Sequence, residues 1–152
     1  MKNTTNRIEE INNLMSSLTD QIKVLKKEKQ KIVKIVEGKP KADFTKTITS
    51  ILKKYNFYKL KASWVKDSTY DGDEWVRVNE DQFVLTVGIQ PEGRFNKDFD
   101  EVTAANNYEK IVEEVNKLEL VKKANKGSYY VGMGGKMSGL LVTVDKKKLL
   151  TA

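Results

Sequence analysis

Four acidic residues crowd one short stretch, Asp67, Asp71, Asp73 and Glu74. Carboxylates gathered this closely can hold a hard divalent cation, as nucleases and phosphotransferases require. Their spacing lacks the alternation of a calcium-binding loop, and acids beside Gly72 are ordinary turn formers. No metal ligand is assigned. The run Gly132-Met133-Gly134-Gly135-Lys136-Met137-Ser138-Gly139 has the composition of a phosphate-binding loop. Such a loop needs a glycine five residues before Gly135, a hydroxyl directly after the lysine, and a following helix. None of the three is present, so a glycine-rich hairpin is expected. The hydroxyls of Ser63, Ser68, Thr69 and Tyr70 have no imidazole to activate them, because the chain contains no histidine; it has no cysteine either. The expectation is a non-enzymatic protein with no catalytic residue, no cofactor, no metal centre and no disulfide.

Basic residues carry the stronger signal. The net charge is +7, unevenly spread: residues 1–42 hold +5, residues 43–66 another +5, residues 67–101 hold −7, and residues 102–152 hold +4. Basic surfaces attract polyanions over a Debye length of about 8 Å at physiological salt. Lysine dominates over arginine, which suits phosphates better than base edges. Lys23, Lys26, Lys27, Lys31 and Lys34 are the first group of candidate nucleic-acid contacts. Lys59 and Lys61 are the second, interleaved with Tyr55, Phe57, Tyr58, Trp64 and Lys66. Strand alternation puts Tyr58, Leu60, Ala62 and Trp64 on one face, read as core, and turns Lys59 and Lys61 together towards solvent.

The elements that must position these lysines begin with a heptad pattern. Ile8, Ile11, Met15, Leu18, Ile22, Leu25, Ile32 and Val36 follow a 3, 4 spacing broken only by Lys29. A strict seven-residue repeat keeps a narrow apolar stripe on one side of a helix, where it buries best against another helix. These eight residues are the expected oligomerisation contacts. Ile8 and Ile22 at a with Leu18 and Leu25 at d favour a parallel dimer, and Ile11 and Ile32 at d pull weakly towards trimers. A fold-back against the next helix is the alternative. The five lysines fall at b, e, f, c and f, outside the stripe, where solvation competes with polyanion binding.

Asn6 with Glu9 reads as a capping box, and Gly38 followed by Pro40 as a stop. This predicts a coiled-coil oligomerisation helix over 1–38 and a globular domain over 43–152. Asp43 would cap a second helix burying Phe44, Ile48, Ile51, Leu52 and Tyr55. A turn at Asp71-Gly72 introduces Trp75–Val78, and Phe83, Leu85, Val87 and Ile89 form the clearest strand. Asn106 with Glu109 would cap a third helix burying Tyr108, Ile111, Val112, Val115 and Leu118. Ser128–Met133 and Leu140–Val144 would close a hairpin around Gly134-Gly135, with one ring of Tyr129-Tyr130 turned outward. The fold class is α+β: a heptad-repeat helix, then a small antiparallel sheet with helices on one face.

The stretch from Lys61-Ala62-Ser63-Trp64-Val65-Lys66-Asp67-Ser68-Thr69-Tyr70, through Trp75-Val76-Arg77-Val78 and Phe83-Val84-Leu85-Thr86-Val87, to the helix Tyr108–Leu118 resembles small phage-encoded inhibitors of CRISPR effector nucleases. The resemblance spans residues 43–131 and implies a non-enzymatic protein that blocks a nucleoprotein machine. It transfers no functional residue. No apolar run reaches the roughly 18 to 20 residues that span a bilayer, and the N-terminus is polar, so a cytoplasmic protein without a membrane partner is expected. The functional expectation is an oligomeric binding protein of phage or mobile-element type, most simply a homodimer, acting on nucleic acid or a nucleoprotein. An inhibitor or adaptor for a host protein, and a structural assembly component, are the alternatives.

Overall fold

The computed structural model describes residues 2–71, 74–131 and 135–151, with side chains described outside residue 2 and the stretches 69–75 and 128–137. The elements in chain order are α1 (Lys2–Lys54), β1 (Phe57–Val65), β2 (Thr69–Asp71), β3 (Glu74–Val76), β4 (Gln82–Pro91), α2 (Glu101–Asn116), β5 (Val121–Val131), β6 (Gly135–Asp145) and α3 (Lys146–Thr151). The chain divides within α1 into two compact units, Met1–Lys39 and Pro40–Ala152.

The expected helix stop at Gly38-Pro40 is corrected: the residues from Lys2 to Lys54 are helical throughout, with Pro40 inside. Proline removes one backbone donor, at a cost of about 3 kcal/mol or more. Good helix formers on both sides outweigh that loss, because restarting would require a second costly nucleus. Asn6 and Asp43, expected as caps, are therefore interior helical residues. The helix runs instead to Lys54, and just beyond it Asn56, with a φ of 61°, makes the left-handed turn that stops a helix. Glu92 donates its N–H to the Asn56 carbonyl at 2.8 Å, which ties this turn to the end of β4.

The second unit is the expected α+β arrangement. A four-stranded antiparallel sheet in the order β1-β4-β6-β5 carries helices on one face. Phe44, Ile48, Ile51 and Leu52 of α1, Ile111 and Val115 of α2, and Leu149 of α3 close over Leu85, Val87, Ile89, Leu140, Val142 and Val144. The 3.6-residue period of α1 and α2 and the two-residue period of the strands put these side chains on facing surfaces. Tyr55, Tyr108, Val112 and Leu118 pack partly buried at the margin.

Strand β4 is buried on both faces: Val84, Thr86 and Gln90 are covered as well as Leu85, Val87 and Ile89. Between β1 and β4 the chain forms the small β2–β3 hairpin, a separate two-stranded sheet. Its strands pair Thr69 with Val76 and Asp71 with Glu74, and β2 neighbours β5, the edge opposite β1. Val76 is buried outside the helix-side cluster. Gly72 and Asp73 of the expected turn, and Gly132–Gly134 of the second one, lie outside the described residues, as do the side chains of Trp75, Tyr129 and Tyr130.

Three further expectations are corrected. Helix α2 begins at Glu101 and is capped by Asp100, not Asn106. The Asp100 carboxylate accepts the N–H groups of Val102 and Thr103 at 3.0 and 3.2 Å and the Thr103 hydroxyl at 2.7 Å, so the orphan donors of the first turn are met there. The terminal hairpin is longer than its sequence signal at both ends, and the short helix α3 follows it. Its cap is Asp145, which accepts the Lys148 N–H at 2.9 Å. The third correction is a bulge in β1. Lys59 pairs with Ile89 and Lys61 with Gly88, which leaves Leu60 as an extra residue. Tyr58 and Leu60, expected in the core, are 39% and 41% exposed, while Phe57, Ala62 and Trp64 reach the core.

Asn116 closes the outer edge of the sheet. Its side chain accepts the Ala124 N–H at 2.8 Å and donates to the Ala124 carbonyl at 2.9 Å, as a neighbouring strand would. The same amide donates to Val112 at 3.0 Å. Asn116→Asp replaces that donor with an acceptor facing two carbonyls. It is expected to cost about 1–3 kcal/mol, read as a lowered urea midpoint with an unchanged slope.

Asp100 and Asp81 also make stability depend on pH. The Thr103 hydroxyl and N–H hold the Asp100 carboxyl below its ordinary value, and Lys122 does the same for Asp81. Because both folded values lie below the unfolded ones, the stabilisation is complete above the ordinary carboxylate range and fades as pH falls through the lowered values. Thermal melts are expected to lose stability on that acid limb, and Asp100→Asn is expected to flatten it.

Candidate polyanion-binding surfaces

The first unit presents both of its expected features to solvent. Lys23, Lys26, Lys27, Lys31 and Lys34 are exposed along α1. So are Ile8, Ile11, Met15, Leu18, Ile22, Leu25, Ile32 and Val36, from 41% at Ile11 to 62% at Leu25. Leu14, Val24, Val33 and Ile35 are exposed too. Leu14, Val33 and Ile35 flank the heptad stripe at g, e and g, so the apolar band is broader than a and d alone. Monomeric proteins rarely expose contiguous apolar surface beyond a few hundred Å².

Lys59 and Lys61 are both exposed on the edge strand β1, but they do not act as a pair. The bulge at Leu60 reverses the alternation between them. Lys59 keeps the parity of Phe57 and sits opposite core-facing Ile89, whereas Lys61 sits opposite Gly88 on the other face. Sequence alternation alone had put them side by side.

One end of the sheet gathers a group the sequence reading had not joined. Gln82 pairs with Asp145, Val65 with Val84, and Val121 with Val144, so the ends of β1 and β6 and the starts of β4 and β5 meet. Phe44, Trp64 and Phe83 form an aromatic chain there, with centroids 6.0 Å and 6.1 Å apart and the Trp64–Phe83 pair edge to face at 81°. The Lys41 ammonium lies 4.4 Å from the Phe83 centroid and 5.5 Å from Trp64, and the Lys146 ammonium lies 5.3 Å from Phe83. Two cations therefore share one ring. Nearby, Lys122 pairs with Asp81 at 3.1 Å, and Lys146 donates its N–H to the Asp81 carbonyl at 3.1 Å. The sequence signal nearest to this group is the triplet Lys146-Lys147-Lys148.

The opposite end differs in character. The loop after β4 makes successive turns, with Asn96 donating to Gly93 and Phe99 to Asn96. This ordered loop holds Phe95 89% exposed. Beside it, a hollow of about 270 Å³ is lined by Phe57, Ile89, Phe99 and Tyr108 among others. Close to the other margin of α2, Lys54 donates to Glu114 Oε1 at 3.0 Å, and the Tyr55 hydroxyl and Lys54 hold the Glu114 carboxyl below its ordinary value. Among the described residues no three metal-ligating side chains come together, while the side chains of Asp71, Asp73 and Glu74 lie outside them. Also among the described residues, no helix is long and apolar enough to cross a membrane.

Comparison of the chain with family models, with curated proteins and with solved structures finds no match to any of them.

Proposed function

We propose that this chain is a non-catalytic, self-associating binding protein of phage or mobile-element type that acts on nucleic acid or a nucleoprotein complex through its lysine-rich surfaces. The observation that carries the reading is the exposure of the entire apolar stripe of α1 with five lysines beyond its margins. A second copy covers the stripe through heptad contacts, and association then doubles the density of positive charge along the helix. Lysine ammoniums act as point charges on phosphates rather than as readers of base edges, so binding depends on backbone charge more than on sequence.

The test combines sedimentation of the full chain with fluorescence anisotropy on single- and double-stranded oligonucleotides across a salt series. The expected result is a concentration-dependent dimer whose affinity falls linearly with the logarithm of salt. A monomer that leaves every oligonucleotide free at low salt would sink the proposal.

A second reading, an inhibitor or adaptor that docks on a host protein such as a defence nuclease, draws on Phe95. An ordered loop that exposes an aromatic ring fits the anchors that dominate protein interfaces, and the surrounding stretch 67–101 is acidic at −7. It differs from the first in requiring no direct binding to nucleic acid.

A further inference from the structure

We infer that the exposed stripe of α1 takes a second copy of itself running in the opposite direction, an antiparallel pair in which Leu14 of each chain packs on Ile35 of the other. This rests on the self-association proposed above and gives it a direction and a register.

The flanks of the stripe decide the direction, because e and g residues beside a coiled-coil seam set partner choice and orientation. In a parallel pair each g residue runs beside the e residue five positions on in the other helix. Leu14 would then meet Thr19, Ile35 would meet Pro40, and Val33 would meet Glu28. In an antiparallel pair g runs beside g and e beside e. Leu14 and Ile35, 59% and 77% exposed, then cover each other twice per dimer, and Val33 leaves charged Glu28 for Asn12. The same register sets Ile22 on Leu25 and Met15 on Ile32, so a residues face d residues across the seam. Shifted by one heptad towards the N-terminus, Leu14 would face Glu28 instead.

Charge points the same way. Residues 23–34 carry six lysines against Glu28. Parallel pairing lays this stretch beside itself and puts both Lys29 side chains in one a layer, well within the screening length of about 8 Å over which like charges repel. Antiparallel pairing lays it beside residues 13–24, whose Asp20 and Lys23 cancel. Lys29 then lies over Leu18, with its stem on the seam and its ammonium in water. The isoleucines at a and leucines at d that favour a parallel dimer are offset by Ile11 and Ile32 at d. Flanks and charges therefore settle the direction.

The direction also shapes the basic surface. In this register the two lysine stretches lie largely end to end rather than side by side. Together they make one band of about 33 Å, at 1.5 Å per residue. That length matches about ten phosphates of one nucleic-acid strand, spaced roughly 3.4 Å apart.

The chain has no cysteine, so single introduced thiols report the direction without background. Full-length Met15→Cys and Ile32→Cys are equilibrated in a glutathione redox buffer, each alone and mixed in equal amounts. In the antiparallel pair residue 15 lies opposite residue 32 and about 25 Å along the axis from its own copy. A disulfide needs Cα atoms within about 7 Å, so the mixture is expected to give roughly tenfold more cross-linked dimer than either variant alone, with the mass of the mixed species. Cross-linking of each variant to itself overturns the direction and leaves parallel self-association standing. A dimer that yields no mixed species overturns the register. A second measurement leaves the stripe untouched: Asn13→Cys, exposed at an f position, carries a nitroxide label. Double electron–electron resonance is expected to give a separation beyond about 30 Å, whereas about 20 Å, the outer width of two touching helices, overturns the antiparallel pair. Sedimentation of the native chain as a monomer at every concentration removes self-association and this inference together.

Discussion

Leu85→Ala is expected to destabilise the second unit by about 3–5 kcal/mol, the upper range for a buried leucine truncation. Leu85 is fully buried on β4, the strand covered on both faces, between Trp64 of β1 and Val142 of β6. Part of the loss is the transfer of the removed carbons to water. The rest is the cavity, because neighbours on an inner strand cannot collapse into it without shifting two ladders. Total stabilities run to about 5–15 kcal/mol, so this single change removes a large share. Chemical denaturation followed by far-ultraviolet circular dichroism gives the value. Leu60→Ala is the matched contrast: the same atoms are removed, from the exposed bulge, and a cost within about 1 kcal/mol is expected. Plain alternation along β1 would put Leu60 inside and make the two costs similar.

The second large effect concerns the lysines of α1. Replacing Lys23, Lys26, Lys27, Lys31 and Lys34 together with glutamine removes five charges per chain. If each neutralises one duplex phosphate, the slope of affinity against salt falls by about 4–5 per chain, at roughly 0.9 per contact. Complexes with this many contacts change affinity by about a thousandfold or more between low and moderate salt. The variant should therefore lose most of its binding at 50 mM salt and show little further salt dependence. Glutamine keeps helix propensity near that of lysine, so helicity and self-association should be unchanged. Undiminished affinity in this variant would assign the coil lysines to solvation alone.

Much of the second unit was legible because its signals are short-range and periodic. The alternation Phe83, Leu85, Val87, Ile89 and the faces Phe44–Ile48–Ile51–Leu52 and Ile111–Val115 each declare their buried side within one or two turns. What was illegible depends on partners far along the chain. The bulge at Leu60 follows from the register with β4, some thirty residues away. Asn106 and Asp100 are both acceptable caps by residue type, and only the bonds to Val102 and Thr103 decide between them. Gly38-Lys39-Pro40 carries a strong local stop that the flanking helix overrides. Lys41 and Lys146 could not be placed over one ring from sequence, because α1, β4 and α3 must first be packed together.

The two edges of the sheet have a joint consequence. A free strand edge offers unpaired backbone groups to any passing chain and is the usual route to runaway assembly. Here one border is bent by the Leu60 bulge between two lysines, and the other has Asn116 plugged into Ala124. Neither border offers an open ladder at these points, so growth strand by strand is discouraged. The apolar stripe of α1 stays exposed, and under the proposed self-association it would close on a second copy and stop at a finite number. On that proposal, assembly would proceed by counted copies rather than by strand-on-strand growth into fibres.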